Sequence, residues 1–234
     1  MWSWAMVAVL AIGVPFLSWR SAKVADEARL SRPQLYLNAT ASLWILAAFG
    51  YLAVALDGVL LADLGMRWAY GALRFAAWLG GLTAAGLAVF IACYGARRAG
   101  WLPPEEPLLV KMRPHGVPET LLVVLVLSPS AGACEEFLYR GLVFDVIKGA
   151  AGAAPAAVVS AALFAGAHVY QGWAGAVRAG LIGLMLAASP WATGSILPAI
   201  VAHALVDALG LGFVWPWLER ACRTRLDRES REVL

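Results

Sequence analysis

Apolar runs close to twenty residues long recur along the whole chain, and most charged residues fall in the short stretches between them. Seven such runs are read, at roughly 2–19, 36–61, 69–93, 119–147, 154–170, 174–189 and 195–215. Apolar runs of this kind read as transmembrane helices. The pattern predicts an all-α polytopic membrane helical bundle of about seven spans, with six to eight as the range. The fourth run is long enough to tilt, to kink at Pro129, or to project beyond the bilayer. The sixth is short and flanked by Gly and Pro, so it is expected to be partly re-entrant or split. No internal repeat and no linker divides the chain, and residues 1–234 read as a single integral-membrane domain.

Composition sharpens this picture. The chain is 62% hydrophobic and 14% charged, with a mean hydropathy of +0.74, whereas soluble domains run near half apolar and a quarter charged. Eleven tryptophans suit a membrane protein, because indole rings favour the headgroup interface. The net charge of +3 sits in the loops and gives no reason to expect nucleic acid as a partner. Cys93, Cys134 and Cys222 lack paired spacing, so neither a disulfide framework nor a cysteine metal site is expected. The first run has no basic n-region or small-residue cleavage site and reads as a retained span.

Basic residues set the expected orientation. Arg20, Lys23, Arg29 and Arg32 follow the first span, and Arg97, Arg98, Lys111 and Arg113 follow the third. Arg220, Arg223, Arg225, Arg228 and Arg231 fill the tail, while Arg67, Arg74 and Lys148 lie at or near the other side. The expected topology puts the N-terminus outside and the tail in the cytosol of a bacterial-type inner or plasma membrane.

Against this apolar background the segment "CEEFLYRGLVFD" at 134–145 stands out. Glu135, Glu136 and Arg140 at the centre of a span would together cost about 8 kcal/mol if unpaired. Glu136 and Arg140 are spaced i,i+4 on one helix face, which suits an ion pair. Glu135 points about 100° away and has no local partner. One reading makes all three a structural ion cluster; the other makes Glu135 a functional carboxylate. Two further polar positions favour the second. His168 ends the run "AALFAGAH", one turn after Phe164, and His203 lies in "SILPAIVAHALVDALG" with Asp207 one turn on. A carboxylate beside a histidine can hold its tautomer and raise its basicity. His115, in the loop "MRPHGVPE", reads as solvated, and Asp57 reads as an interfacial or helix-packing residue. Small residues crowd the fifth span, which permits close helix approach and places it in the bundle interior.

The ordered set EExxxR (Glu135, Glu136, Arg140), FxxxH (Phe164, His168) and HxxxD (His203, Asp207) resembles the CPBP (Abi) family of intramembrane proteases. That family includes the type II CAAX prenyl endopeptidases and bacteriocin-processing or immunity proteins. The resemblance covers about residues 120–215 as a catalytic core, and "ADLGMR" at 62–67 is a weaker echo of a segment often found upstream. The family's third motif often ends in Asn; here it ends in Asp207, which as a carboxylate offers no amide donor. Other intramembrane protease patterns fail: "LDG" at 56–58 has no HExxH partner, and neither GxSG nor GxGD occurs.

The resemblance implies an endopeptidase acting on a peptide or membrane protein within the bilayer, near its cytosolic half. Glu135 is then the expected base for water, His168 its orienting group, and His203 with Asp207 the polarising pair. Glu136, Arg140 and Phe164 are the expected supporting residues. Glu135, His168 and His203 also match a three-ligand zinc site with one open position, and the same residues equally serve a metal-free hydrolysis. A non-catalytic binding or immunity protein of the same fold and a proton-coupled transporter are the alternatives.

Overall fold

The computed structural model describes residues 1–27, 30–103, 106–215 and 217. Arg29, Cys222 and the arginines of the tail lie outside the described residues. All regular structure among them is helical. Six helices are long and apolar enough to cross a membrane: α1 (Trp2–Val24), α2 (Arg32–Leu56), α3 (Ala72–Arg98), α5 (Gly116–Ala151), α7 (Gly172–Thr193) and α8 (Leu197–Val214). A short helix, α4 (Pro107–Lys111), lies in the connection after α3. The chain is an integral membrane protein of the helical-bundle class.

Two expectations change in detail. The fifth run forms α6 (Ala153–Ala167), whose 15 residues rise only about 22 Å, short of the ~30 Å hydrocarbon core. It ends where His168 begins a turn. The sixth run is neither re-entrant nor split but a continuous 22-residue helix, α7. Its proline, Pro190, falls in the final turn, where it does not interrupt the span.

Elsewhere proline reshapes the helices. A proline cannot donate to the carbonyl four residues back, and its ring crowds that carbonyl. Pro129 follows a π-helical turn at Val123–Leu127, and Pro15 follows another at Val9–Gly13. The wider turn absorbs the conflict, and both helices continue.

The 36-residue α5 is the central element; half of its apolar stretch is buried, against about a fifth in α1 to α3. Leu138, Leu142 and Val143 on α5 are fully enclosed with Leu10 of α1. In lipid, helices associate through close packing, so small residues mark the crossings. At Gly132 the helices α5 and α8 come close: a Cβ there would fall 2.6 Å from the Ile200 carbonyl oxygen. This contact sets α5 against the helix that carries His203.

The α2–α3 connection clasps the α7–α8 turn. The Ile196 N–H donates to Gly65 O at 2.9 Å, and the Ser195 hydroxyl donates to Arg67 O at 2.8 Å. Gly65 has φ +82 and lies against Gly194 and Ile196, so a side chain would both strain the backbone and crowd the turn. The "ADLGMR" stretch therefore fixes the head of α8. At the same end Asp57 accepts the Ser3 and Trp2 backbone N–H groups at 2.8 and 3.1 Å and the Met1 ammonium at 2.9 Å. That ammonium, then the Ser3 N–H, hold its carboxyl well below the ordinary carboxylate range.

The opposite end gathers the basic connections. The Tyr36 hydroxyl donates to Met112 O at 3.0 Å, and Arg32 lies 3.9 Å from Glu119. His115 is exposed in this loop, as its sequence suggested, and its N–H donates to Glu119 at the start of α5.

Candidate active site

The site begins on α5. Glu135 and Glu136 close a regular helical stretch, and Phe137–Val143 continue as a π-helical segment in which every residue is buried. Such segments recur at functional sites because the extra residue re-aims side chains. Glu136 and Arg140 are fully enclosed, with Nη1 to Oε1 at 3.0 Å, so the i,i+4 ion pair forms as its spacing suggested. The guanidinium also stacks over the Phe164 ring of α6 at 4.4 Å. Ring and carboxylate together offset the desolvation of a charge that arginine does not give up.

His203 enters from α8. Its Nδ1 lies 2.8 Å from Glu136 Oε1, so the group that steadies it is Glu136. Asp207, the expected partner, is farther, with Oδ2 at 3.6 Å from Nε2, and a third of its side chain is exposed. An ionised carboxylate only accepts, so Nδ1 carries a proton and donates to Glu136. Nε2 then faces the second acid: Glu135 Oε2 is 3.5 Å away. Glu135, without a partner on its own helix, meets one across the α5–α8 crossing.

His168 caps the end of α6. Its Nδ1 lies 2.8 Å from the Phe164 carbonyl, one of the terminal carbonyls that a helix leaves unsatisfied. A carbonyl also only accepts, so Nδ1 is the donor and Nε2 of the neutral ring is left as an acceptor. Phe164 joins the halves of the site. Its ring centroid lies 4.5 Å from the His168 ring and 5.8 Å from the His203 ring, and it meets Tyr139 edge-on at 5.2 Å.

The residues beyond His168 were not anticipated. A single 3₁₀ turn, Val169–Gln171, leads into α7 and brings Tyr170 beside His168, with ring centroids 6.1 Å apart. The Gln171 amide donates to the Tyr170 hydroxyl at 3.1 Å, and Arg178 donates to the Gln171 carbonyl at 3.1 Å. A charge inside the 174–189 run was the available signal, since an intramembrane arginine implies partners.

Among the described residues no three His, Cys, Asp or Glu side chains lie together in a form that holds a metal ion. Both His203 nitrogens face carboxylates, and His168 turns one nitrogen to its own helix. Both histidines give Nδ1 to an oxygen and keep Nε2 toward the site, the donor pattern of a metal-ligating imidazole. The same atoms serve a metal-free hydrolysis, so no step below is routed through a metal.

Comparison with known families bears on the same stretch. Residues 117–209 match the family model described as Type II CAAX prenyl endopeptidase Rce1-like. That segment is similar to this family. The Rce1-like segment runs from the start of α5 to Leu209 and includes all three motifs. It supports a protease at the level of the family. No curated protein and no solved structure matches the chain.

Proposed function

We propose that the protein is an intramembrane endopeptidase that hydrolyses a peptide bond in a membrane-associated peptide or protein, using water activated by Glu135. The observation that carries this reading is the facing of Glu135 and His203 across two helices, with Oε2 3.5 Å from Nε2. Neither residue serves packing alone, because each brings a polar group into apolar surroundings. Glu135 takes a proton from water as the water oxygen attacks the scissile carbonyl. His168, with Nε2 left as an acceptor, orients the same water. His203 positions Glu135 and polarises the carbonyl from the other side. The proton then passes from Glu135 to the leaving amine. Glu136 and Arg140 hold α5 and the His203 ring in place.

The substrate enters from the basic end of the bundle, where Arg97, Arg98, Lys111 and Arg113 sit, which the positive-inside rule makes cytosolic. Labelling of Trp101→Cys from outside intact cells would contradict that orientation.

The test is cleavage of a membrane-peptide library, prenylated and unprenylated, by purified protein, with fragments read by mass spectrometry. Glu135→Gln keeps shape and is expected to fold normally and lose about 10²–10⁴-fold in rate. A parent protein that cleaves nothing, or a Glu135→Gln variant that matches the parent, overturns the proposal. Inhibition by a chelator that added zinc reverses would instead assign the chemistry to a bound metal.

A further inference from the structure

Hydrolysis through a tetrahedral intermediate needs donors aimed at the developing oxyanion. Glu135 and Asp207 supply none while ionised, and His203 supplies at most one, because its Nδ1–H is given to Glu136. Arg140, the other donor in the three motifs, is enclosed against Glu136, Phe164 and Gly183, and the turn between α6 and α7 holds a further donor.

Tyr170 lies beside His168 with the rings nearly parallel, 27° apart. The phenol oxygen accepts the Gln171 amide N–H at 3.1 Å. Having accepted that bond, the hydroxyl directs its own proton elsewhere. Gln171 is fixed in turn by Arg178, whose Nη2 donates to the amide oxygen at 3.1 Å. The relay runs one way, guanidinium to amide and amide to phenol, and leaves the phenol proton to be donated onward. Each bond in such a chain polarises the next, and a cation at its head makes the last hydroxyl a stronger donor.

The local sequence is fitted to this relay. Gln171 and Arg178 are two helical turns apart, so they meet only if the glutamine side chain lies back along α7. Gly175 sits between them, and a Cβ there would collide with the Gln171 side chain. Gly172, at φ +75, makes the bend that turns Tyr170 and Gln171 from the end of α6 into α7.

We propose that the Tyr170 hydroxyl is a catalytic oxyanion donor for peptide hydrolysis, and that Gln171 and Arg178 are positioning residues that orient and polarise it. As water attacks, the carbonyl π pair moves onto oxygen, and that oxygen accepts the phenol O–H. When the intermediate collapses, the bond to the amine breaks and the hydrogen bond relaxes. The inference rests on the peptidase reading above.

The test uses the full chain in detergent or nanodiscs with any peptide the parent cleaves. Tyr170→Phe keeps the ring beside His168 and is expected to lower kcat about 10²–10³-fold, with KM and melting temperature unchanged. Gln171→Leu is expected to lower kcat by roughly five- to tenfold in the parent. It should change nothing further in the Tyr170→Phe background, since a positioning effect needs the hydroxyl and a structural effect does not. A phosphonate analogue of the cleaved peptide should lose affinity for Tyr170→Phe by the factor lost in kcat/KM. Parent-level kcat in Tyr170→Phe overturns the inference and leaves the Glu135 reading standing, as does a Gln171→Leu effect that persists without the hydroxyl. A parent chain inert on every peptide overturns both.

Discussion

The Glu136 carboxylate holds two donors on one oxygen: Oε1 is 3.0 Å from Arg140 Nη1 and 2.8 Å from His203 Nδ1. The pair on α5 is thus not only a local brace. It reaches across to α8 and fixes the imidazole that faces Glu135. Stability and catalysis share this carboxylate, so its removal is expected to damage both.

Glu136→Gln is expected to strand the Arg140 charge in a fully enclosed site. An uncompensated buried charge costs about 3–5 kcal/mol, which will lower the melting temperature and the yield of folded protein. The double change Glu136→Gln with Arg140→Met removes both charges and should recover the melting temperature. Its cleavage rate should stay low, because the His203 ring has lost its carboxylate acceptor. Recovery of activity together with stability would mean that Glu136 acts only as a counter-charge.

A second prediction concerns the space around Arg140. Gly183 of α7 leaves room for the guanidinium: a Cβ at that position would lie 2.5 Å from Arg140 Nη2 and 3.1 Å from a Phe164 ring carbon. Gly183→Ala should therefore destabilise by about 1–3 kcal/mol through overpacking and should lower activity by shifting Phe164 against both histidines. Gly80→Ala and Gly81→Ala in α3 are the controls, since nothing lies within 4 Å of either added Cβ. Helix propensity alone makes those two neutral or mildly stabilising. Thermal melts and cleavage rates of the three variants, measured side by side, check the contrast.

These cases show which parts of the site could be read from sequence. The Glu136–Arg140 pair was legible because i,i+4 spacing is a property of one helix. Phe164 and His168 sharing a face followed in the same way, and the spans followed from apolar length. The Glu136–His203 bond was not legible: it depends on how α5 crosses α8, which Gly132 sets by close approach to Ile200. Asp207 was the expected partner of His203 because local spacing favours a residue one turn away, but the crossing brings a nearer oxygen. Tyr170 and Gln171 escaped notice because they lie in a 3₁₀ turn, where neither helical nor strand periodicity applies. The continuity of α7 was missed because Gly and Pro at the ends of a run look alike whether they bound a short helix or lie inside a longer one.

The last prediction concerns Asp207, where the related motif often carries Asn. Its carboxylate oxygen is 3.6 Å from His203 Nε2, close enough to affect the site and too far for a hydrogen bond. An ionised carboxylate cannot donate to an oxyanion, and the Tyr170 hydroxyl is the group proposed to do so. Asp207→Asn places an amide donor where the carboxylate stood, at nearly the same volume. In the parent background this change should move kcat only slightly, because one donor is already present. In the Tyr170→Phe background it should restore at least about tenfold of the lost rate, since one oxyanion donor is worth about 10²–10³. Cleavage rates of the parent, both single variants and the double variant form a complete cycle. Equal effects of Asp207→Asn in the two backgrounds would show that Asp207 and Tyr170 act independently, and would remove the reason given for the unusual residue.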